Sequence, residues 1–500
     1  MVLFIVRYSE IGLKGPKKRS EMERRLISNI RSALDNMDIK ITRERGRLFV
    51  EALKESDEMH VQESLSHVFG VKSFSKCKRV KFRALDDLID LSFEEFRDFV
   101  NGKKFAVRVR RTGNHDFSSI QVERLLGERL YPFSTGVNLK NPEAEVQMEI
   151  RENTVYLYNN IISGPGGFPL GTQGRMVSLV SGGIDSPVAS WMLMKRGCQI
   201  DVVFCSLASP IDTLEFLGTV KPLADAWSYG SEMRIHIFDC SPLVESMIHG
   251  EGFLHPNVGF KKFIYEVAGM VAERIGAYGI ITGESIGQVS SQTAENLAAL
   301  SATVKLPVHR PLIGFDKDEI VDMAKRIGTF PKESMGEFCS IFSLNPSVSV
   351  KREELENDNV SEEVLDAVLK SEIVLGKSQI DGFIRDIKTF DLRNPSFLEG
   401  SVIVDLRDET KYREWHPQGA INYPISTVNE LPRKYGYDKT FLFYCSQGLM
   451  SAYASSKLTK LGVKSMFTDE KKLKKIRHGT DCHGRTPRTA TVLAGTAGGV

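Results

Sequence analysis

Residues 176–187, which read MVSLVSGGIDSP, constrain the fold and the chemistry of this chain more than any other segment. The apolar residues 176–180 are typical of a buried parallel strand, and Ser186 and Pro187 suit the N-cap and the first position of a helix. Two glycines between strand and helix let backbone amides approach an anion, and the helix N-terminus adds partial positive charge. A glycine pair alone would also fit an ordinary tight turn, but the complete string predicts a phosphate-binding loop. It is not a Walker A loop, because no Gly-Lys-Ser/Thr follows at the required spacing.

Composition is that of an ordinary soluble protein with several domains. The 500 residues are enough for about three domains, and 41% of them are hydrophobic and 26% charged. A net charge of +2 does not by itself indicate a nucleic-acid binder, so only local clusters of basic residues could indicate nucleic-acid binding. No apolar run approaches the ~20 residues of a membrane span. Seven cysteines without a CxxC pair favour a reducing cytoplasm over a zinc site or a disulfide scaffold.

The first two predicted units, residues 1–60 and 61–168, carry clustered basic residues. The clusters are Lys14, Lys17, Lys18 and Arg19 in the first unit, and Arg108, Arg110 and Arg111 in the second. In the second unit Phe105, Val107 and Val109 alternate with arginines, which predicts a strand with one basic face. Such clusters suit a surface that binds the phosphate backbone of RNA. For each cluster taken alone, the alternative is a solvated face of a helix or sheet.

The remaining sequence predicts two further α/β domains. Residues 169–345 contain the phosphate loop and alternate strands with helices, which predicts a doubly wound domain with its ligand at the carboxyl ends of the strands. The glycine-rich residues 164–174 predict a loop or hinge before it. The charged residues 346–395 predict a linker, and residues 396–476 predict the last domain. Residues 477–500 lack periodicity, which predicts a disordered or foreign tail.

Cys445 is the candidate nucleophile of the last domain. It ends the apolar run FYC, and SQGLMS follows it, so a short loop leads into a predicted helix at residues 452–461. A loop that closes on a helix N-terminus points backbone amides at the sulfur, and this favours a thiolate or a persulfide anion. A buried cysteine at the end of a core strand is the alternative.

Together these strings resemble the tRNA sulfurtransferases that make 4-thiouridine, the ThiI family. EIGLKG with the basic helix resembles the family's ferredoxin-like domain, and VRVRRTGNHDF is similar to a THUMP domain. SGGIDSP matches the PP-loop, TGESIGQVSSQTAENL at residues 282–297 is the most specific match, and the last domain resembles a rhodanese. The resemblance covers residues 1–470. It implies a multidomain α/β fold with a ferredoxin-like and THUMP RNA-binding unit, a doubly wound parallel PP-loop ATP pyrophosphatase domain and a rhodanese-like domain.

The resemblance also implies residue roles. Asp185 matches the essential PP-loop aspartate, Cys445 the cysteine that carries a persulfide, and Cys339 a second cysteine that pairs with it during turnover. The positions that match the family's ATP contacts are Leu179, Val180, Ser181, Gly182, Gly183, Asp185, Ser186, Phe204, Cys205, Lys261, Gly283 and Gln292. The implied cofactors are ATP and Mg²⁺, with no metal site built by the protein itself. The implied partners are tRNA, a cysteine desulfurase, in some members a thiamine sulfur-carrier protein, and a second copy in a homodimer.

The reaction that the resemblance implies has two halves. ATP adenylates the C4 oxygen of a uridine, and sulfur from the Cys445 persulfide then displaces AMP. The terminal sulfur attacks C4 directly, or Cys339 first releases sulfide; both routes use thiolate exchange and both stay open. Rival functions are an ammonia-using synthase, an ATP-independent thiosulfate sulfurtransferase and a non-enzymatic RNA-binding adaptor. Each rival leaves some of these motifs without a role.

Overall fold

The computed structural model of the chain describes residues 1–44, 46–207, 210–249, 251–331, 347–388, 400–407, 409–445 and 449–474. In these ranges the strands are β1 (Val2–Arg7), β2 (Ile39–Glu44), β3 (Arg47–Ala52), β4 (Ser73–Lys76), β5 (Lys78–Lys81), β6 (Lys104–Thr112), β7 (Gly136–Val137), β8 (Ala144–Arg151), β9 (Thr154–Tyr158), β10 (Ile162–Ser163), β11 (Arg175–Leu179), β12 (Gln199–Ser206), β13 (Arg234–Asp239), β14 (Ile280–Ile281), β15 (Val308–His309), β16 (Ile373–Gly376), β17 (Val402–Asp405), β18 (Ile421–Asn422), β19 (Phe441–Cys445) and β20 (Ser465–Asp469). The helices are α1 (Pro16–Ala33), α2 (Glu58–Leu65), α3 (Leu85–Val100), α4 (Ser119–Leu130), α5 (Asp185–Lys195), α6 (Pro210–Pro222), α7 (Ser241–Ile248), α8 (Pro256–Ile275), α9 (Ala294–Ala302), α10 (Lys317–Ile327), α11 (Arg352–Asn357), α12 (Glu362–Lys370), α13 (Ile380–Lys388), α14 (Glu409–Glu414), α15 (Leu431–Tyr435) and α16 (Leu449–Lys460).

The first sheet is antiparallel and has the strand order β10-β4-β1-β3-β2. Leu26 and Ile30 of α1 pack with Phe4 and Val6 of β1 in one buried cluster. The sheet extends beyond residue 60, where we predicted its unit to end, because β4 pairs with β1 and β10 pairs with β4. The chain therefore leaves this sheet after β4, forms the second unit and returns through β10.

The second sheet has the order β5-β9-β8-β6-β7, with helices α3 and α4 packed on it. The alternation predicted for β6 is confirmed, since Phe105, Val107 and Val109 are buried. Arg110 and Arg111 are exposed near the end of the same strand. One face of β6 therefore builds the core, while its carboxyl end presents positive charge to solvent.

The third sheet is the predicted doubly wound domain, with the order β15-β14-β11-β12-β13-β16. The pairs from β15 to β13 are parallel, and helices cover both faces. Neighbouring residues of β12 show this directly, since Val202 packs in one buried cluster with α6 and Val203 in another with α8. Successive side chains of a strand point to opposite faces, so a strand buried on both sides reads as a continuous apolar run.

The described part of residues 346–395, from 347 to 388, differs from the linker that we predicted. Strand β16 pairs antiparallel with β13, and Leu375 of β16 is buried in the core of the third sheet. Leu355 and Val368, from α11 and α12, are buried in the cluster on the other face. The segment therefore covers the edge of β13, whose backbone groups would otherwise lack partners.

The glycine-rich residues 164–174 form a fixed strap rather than a hinge. Gly171 N donates a hydrogen bond to Gly197 O at 2.9 Å, which ties the strap to the start of β12. A Cβ at Gly167 would lie only 2.0 Å from Lys195 O, at the end of α5. The glycines thus serve close packing against the third sheet and not mobility.

The fourth sheet is parallel, with the order β18-β17-β19-β20. Ala454 and Leu458 of α16 pack on Phe441 and Phe443 of β19. The tail predicted at residues 477–500 lies outside the described residues. Within the described ranges, no helix is both long enough and apolar enough to cross a membrane.

Candidate functional site

A cavity of about 170 Å³ opens at the carboxyl ends of β11 and β12, between α8 and the segment after β14. The predicted nucleotide-binding residues that line it are Leu179, Val180, Ser181, Asp185, Ser186, Phe204, Cys205, Lys261, Gly283 and Gln292. Lining residues that we did not predict are Val203, Leu207, Asp212, Phe260, Ile264, Tyr265, Thr282 and Glu284. Gly182 and Gly183, both in the described range 46–207, lie in the loop between β11 and α5, outside the cavity wall. This edge is where doubly wound sheets bind their ligands.

The loop between β11 and α5 turns tightly at Gly182, whose φ is +81°. Helix α5 begins at Asp185, so Ser186 lies inside its first turn. Our prediction that Ser186 is the N-cap residue was therefore wrong. The Ser186 hydroxyl instead closes the loop, because Oγ accepts a hydrogen bond from Ser181 N at 3.3 Å. Gly283 approaches so closely that a Cβ there would lie 2.5 Å from Ser186 N. A residue with a side chain at position 283 would therefore push against the phosphate loop.

Asp185 is held from two sides at the mouth of this loop. Lys317 Nζ, from the first residue of α10, lies 2.7 Å from Asp185 Oδ1. Gln288 Nε2 donates to Asp185 Oδ2 at 3.0 Å. The carboxylate is therefore oriented by one cation and one amide, and it stands at the N-terminus of α5, where a negative charge is favoured.

Lys261 is buried in the cavity wall, and its Nζ lies 3.0 Å from Glu284 Oε1. Glu284 also accepts hydrogen bonds from Tyr265 Oη (2.5 Å), Thr282 Oγ1 (3.0 Å) and Arg310 Nε (2.8 Å). Burial alone would raise the pKa of Glu284, but the adjacent Lys261 and Arg310 outweigh it and lower the pKa to about 2. The carboxylate therefore stays charged at any ordinary pH.

Phe204 and Cys205 form a neutral part of the wall on β12. Phe204 is buried and stacks on Phe216 of α6, with ring centroids 4.0 Å apart and ring planes within 4°. Burial, reinforced by a hydrogen bond to the Cys205 thiol, raises the pKa of the buried Cys240 thiol well above its usual range, which keeps Cys240 protonated. An apolar wall beside a phosphate loop suits the flat base of a nucleotide.

Cys445 ends β19 and is buried, with Sγ 3.6 Å from Ser451 Oγ. Ser451 lies in the first turn of α16, and its Oγ donates to Thr468 O at 2.8 Å. The sulfur thus sits at the carboxyl end of a parallel strand, next to the start of a helix, as the sequence predicts. Residues 446–448 of the loop and Cys339 lie outside the described residues.

A buried ionic network supports the strand that carries Cys445. Arg407 contacts both carboxylate oxygens of Asp405 with Nε (3.0 and 3.2 Å), and its Nη2 lies 2.7 Å from Oδ2. Tyr444 Oη donates to the same Asp405 oxygen, and Arg407 Nη1 lies 2.9 Å from Glu470. Two-point contact between guanidinium and carboxylate is a strong and directional pairing. Asp405 and Arg407 therefore help to hold β17 and β19 in register next to the cysteine.

The basic residues predicted for RNA binding in the first unit are largely at the surface. Lys14, Lys17 and Lys18 are exposed. Arg19 is half-buried, and its Nε contacts Glu23 Oε1 at 3.1 Å. Arg19 is therefore partly committed to a protein carboxylate, while the three lysines face solvent.

The basic residues of β6 divide in the same way. Arg108 is half-buried, with Nε 3.1 Å from Glu145 Oε1 on β8. Arg110 is exposed, and so is Arg111, whose Nη1 lies 3.2 Å from His115 Nδ1. The carboxyl end of β6 and the loop after it thus form an accessible positive surface of the second unit.

Sequence reasoning missed several residues that shape the cavity. Glu284 and Gln288 lie inside the TGESIGQVSSQTAENL string, so a signal for them existed. Tyr265, Arg310 and Lys317 carry no motif, and only the fold brings them to the cavity or to Asp185. Among the described residues, no group of three or more His, Cys, Asp or Glu side chains could hold a metal ion.

Fold and site together define a nucleotide-binding α/β protein that also carries a rhodanese-like cysteine domain. Family profiles agree with this class along the chain. They match the ThiI ferredoxin-like domain at residues 3–75, the THUMP domain at 82–160, the thiamine biosynthesis protein (ThiI) at 171–365 and the rhodanese-like domain at 391–470.

Relatives of known class extend the match over nearly the whole chain. The tRNA sulfurtransferase of Thermoplasma acidophilum is 42% identical over 95% of this chain and 96% of its own length. That of Pyrobaculum aerophilum is 40% identical over 93% and 96%. The crystal structure of a 4-thiouridine synthetase–RNA complex with bound ATP matches with a TM-score of 0.63 and 29% identity, over 75% of this chain and 99% of that one. The chain belongs to the tRNA sulfurtransferase (ThiI) family, and it is a transferase.

Proposed function

We propose that this chain converts a uridine of tRNA to 4-thiouridine in an ATP-dependent reaction. The observation that carries the proposal is the cavity, because it gathers the predicted nucleotide residues of β11, β12, α8 and the segment after β14 at one sheet edge. The names of the relatives and the solved RNA complex with bound ATP support the same substrates.

The first half-reaction activates the uridine. Its C4 oxygen attacks the α-phosphate of ATP, a bond forms between them, and pyrophosphate leaves with the electron pair of the broken P–O bond. The loop at residues 181–186 and the N-terminus of α5 bind the polyphosphate, and Lys261 supplies a positive charge beside it. Phe204 and Cys205 contact the base. Mg²⁺, when bound with the nucleotide, would screen the phosphate charges. Besides Glu284, which is already paired with Lys261 and Arg310, the cavity carboxylates are Asp185 and Asp212, and these two would hold the ion with the phosphates.

The second half-reaction delivers sulfur. A cysteine desulfurase leaves a persulfide on Cys445, and its terminal sulfur attacks C4, so that a C–S bond forms and AMP leaves with the electron pair. Cys339 then attacks Cys445 Sγ, which forms a Cys339–Cys445 disulfide and leaves the transferred sulfur on the base. In the other route Cys339 attacks first and releases sulfide, which then attacks C4. Either route leaves a disulfide that an external dithiol must reduce before the next turnover.

The tRNA substrate binds across the first two units in this proposal. The exposed basic residues contact the phosphate backbone of the tRNA; they are Lys14, Lys17, Lys18, Arg110 and Arg111. The half-buried Arg19 and Arg108 add to the positive electrostatic potential and to the shape of the binding surface. The profile description as a thiamine biosynthesis protein supports a second use of the same persulfide, transfer to a thiamine sulfur-carrier protein. A homodimer and a cytoplasmic location stay predictions.

Two variants separate the halves of the reaction. Asp185→Asn should abolish tRNA-dependent release of pyrophosphate, whereas Asp318→Asn in the first turn of α10 should not. Cys445→Ala should abolish 4-thiouridine formation and leave pyrophosphate release intact, whereas Cys77→Ala should affect neither. Full thiolation by Cys445→Ala, with the desulfurase as sulfur donor, would refute the persulfide role.

A further inference from the structure

Two adjacent lysines of α8 are both buried but face different surroundings. Lys262 Nζ lies 2.8 Å from Leu355 O, 3.2 Å from Asp358 O and 2.5 Å from Asn359 Oδ1, so it pins the segment after α11. Lys261 instead lines the nucleotide cavity and contacts Glu284. Lys262 therefore has a structural role, whereas Lys261 holds its ammonium at the wall of the cavity.

Glu284 is held more firmly than the lysine that it contacts. Its Oε2 accepts from Tyr265 Oη, Thr282 Oγ1 and Arg310 Nε, which leaves Oε1 facing Lys261 Nζ. Arg310 is itself anchored to α9, because its Nη1 donates to Ser301 Oγ at 2.8 Å. A carboxylate fixed by three donors on one oxygen can direct the ammonium at its other oxygen.

The charges of this cluster do not cancel. One anion, Glu284, stands between two cations, Lys261 and Arg310, so these three side chains together carry a net charge of +1. Buried charge is costly unless it is paired. A polyphosphate anion in the adjacent cavity is a natural partner, and the cost of the excess charge is then offset when the ligand binds.

We propose that Glu284 is a positioning residue that aims the Lys261 ammonium at the polyphosphate of the bound nucleotide. Arg310 neutralises Glu284, so that the carboxylate orients Lys261 without cancelling its charge. This inference deepens the proposed function, on which it rests, and it assigns a role to the buried glutamate of the TGESIGQ string.

A double-mutant cycle on ATP binding by the full chain tests the proposal. Lys261→Met should weaken binding of a non-hydrolysable ATP analogue, measured by calorimetry, by roughly 10- to 100-fold. Glu284→Gln should weaken it to a similar extent, and the double variant should bind no more weakly than Lys261→Met alone. Lys262→Met is the matched control; it should lower thermal stability and leave analogue affinity unchanged.

Each outcome of the double-mutant cycle either supports or overturns the positioning role of Glu284. Additive losses in the double variant would mean that Glu284 acts independently of Lys261, and the proposal would fall. If Glu284→Gln does not fold, Tyr265→Phe removes one donor to Glu284 and should give a smaller loss that disappears in the Lys261→Met background; a loss that persists there also overturns the proposal. An analogue that does not bind the unaltered chain refutes both the inference and the proposed function, whereas binding without thiolation refutes the function alone.

Discussion

At the scale of single residues, the wall of the cavity holds charges that are kept out of water. Glu284 is buried, and four side chains contact it: Lys261, Tyr265, Thr282 and Arg310. Removing one partner of a buried ion pair strands the other, so these contacts affect stability as well as binding. The same residues therefore link the fold of the third sheet to its ligand site.

The lowered pKa of Glu284 makes part of the stability of this unit depend on pH. The pKa is about 2 in the folded chain and 4.5 in its ordinary state, so the stabilisation is fully present above pH 4.5 and is lost as the pH falls toward 2. Its size is on the order of 3 kcal/mol. We expect the difference in unfolding free energy between the unaltered chain and Glu284→Gln to shrink between pH 6 and pH 3.

Urea denaturation followed by tryptophan fluorescence measures this difference, since Trp191 and Trp227 are buried in the third-sheet unit. The exposed Glu273→Gln on helix α8 is the control and should show no such change. A difference for Glu284→Gln that stays constant over this pH range would contradict the assignment.

Lys261 and Glu284 also show what could be predicted at this scale. The nucleotide-binding role of Lys261 is a prediction from the family resemblance, and Lys261 lines the same cavity as Ser181 and Gly283. The pairing with Glu284, Tyr265 and Arg310 could not be predicted, because buried ion pairs join residues far apart in the chain and leave no periodic signal.

At the scale of elements, strands with one buried face were the most predictable feature. Alternation along β6 reports which side chains face the core, and α10 begins with a capping box formed by Asp316 and Glu319. The short strands β10 and β16 escaped prediction because their place depends on partners distant in sequence. The fixed strap at residues 164–174 looked like a hinge, since glycine composition does not distinguish mobility from close packing.

Strand β6 also carries a prediction about RNA. Replacing Arg110 and Arg111 by glutamine removes two exposed cations from its carboxyl end and should weaken tRNA binding. The magnitude of the slope of log affinity against log salt concentration should fall by roughly 1 to 2. The reason is that tRNA binding releases about one counterion fewer for each phosphate contact that is lost. Filter binding of tRNA at several salt concentrations measures this slope.

The control for charge alone is the double variant Arg352→Gln, Lys370→Gln, which removes two exposed cations from α11 and α12 instead. An equal loss in both double variants would mean that net charge, and not this strand, governs binding.

At the scale of the whole molecule, the units are joined to different extents. Phe69 of the first unit packs against Trp191 and Trp227 of the third-sheet unit, with ring centroids 5.7 and 5.3 Å apart. Arg196 and Glu10 add an ion pair of 2.9 Å across the same junction. Because the two units share a core, the basic surface of the first unit is held in a defined relation to the nucleotide cavity. The sequence boundary between units could not reveal this, since a shared core depends on tertiary contact.

The rhodanese-like domain contacts the third-sheet unit through α7, which follows β13. Lys457 Nζ of α16 lies 3.1 Å from Glu245 Oε1 of α7, and Ile425 packs against the cluster that contains Leu243. We expect Glu245→Lys to lower 4-thiouridine formation by about 5-fold, the effect of one partly buried ion pair, and to leave pyrophosphate release unchanged. The charge-swapped pair Glu245→Lys, Lys457→Glu should recover the lost rate.

Quantifying 4-thiouridine and pyrophosphate in the same reactions checks this prediction, with the exposed Glu273→Lys as a control of equal charge change. If the charge-swapped pair formed 4-thiouridine as slowly as Glu245→Lys alone, this contact would not guide sulfur delivery.

In the proposed function, one chain couples ATP cleavage to sulfur transfer onto tRNA. The most direct test incubates the chain with unmodified tRNA, a cysteine desulfurase and cysteine, with and without ATP and Mg²⁺, and measures 4-thiouridine by its absorbance after nuclease digestion. We predict 4-thiouridine only with ATP, together with one AMP and one pyrophosphate for each uridine converted. Two results would contradict this coupling. One is an equal yield of 4-thiouridine without ATP, and the other is ATP cleavage without thiolated tRNA when every component is present.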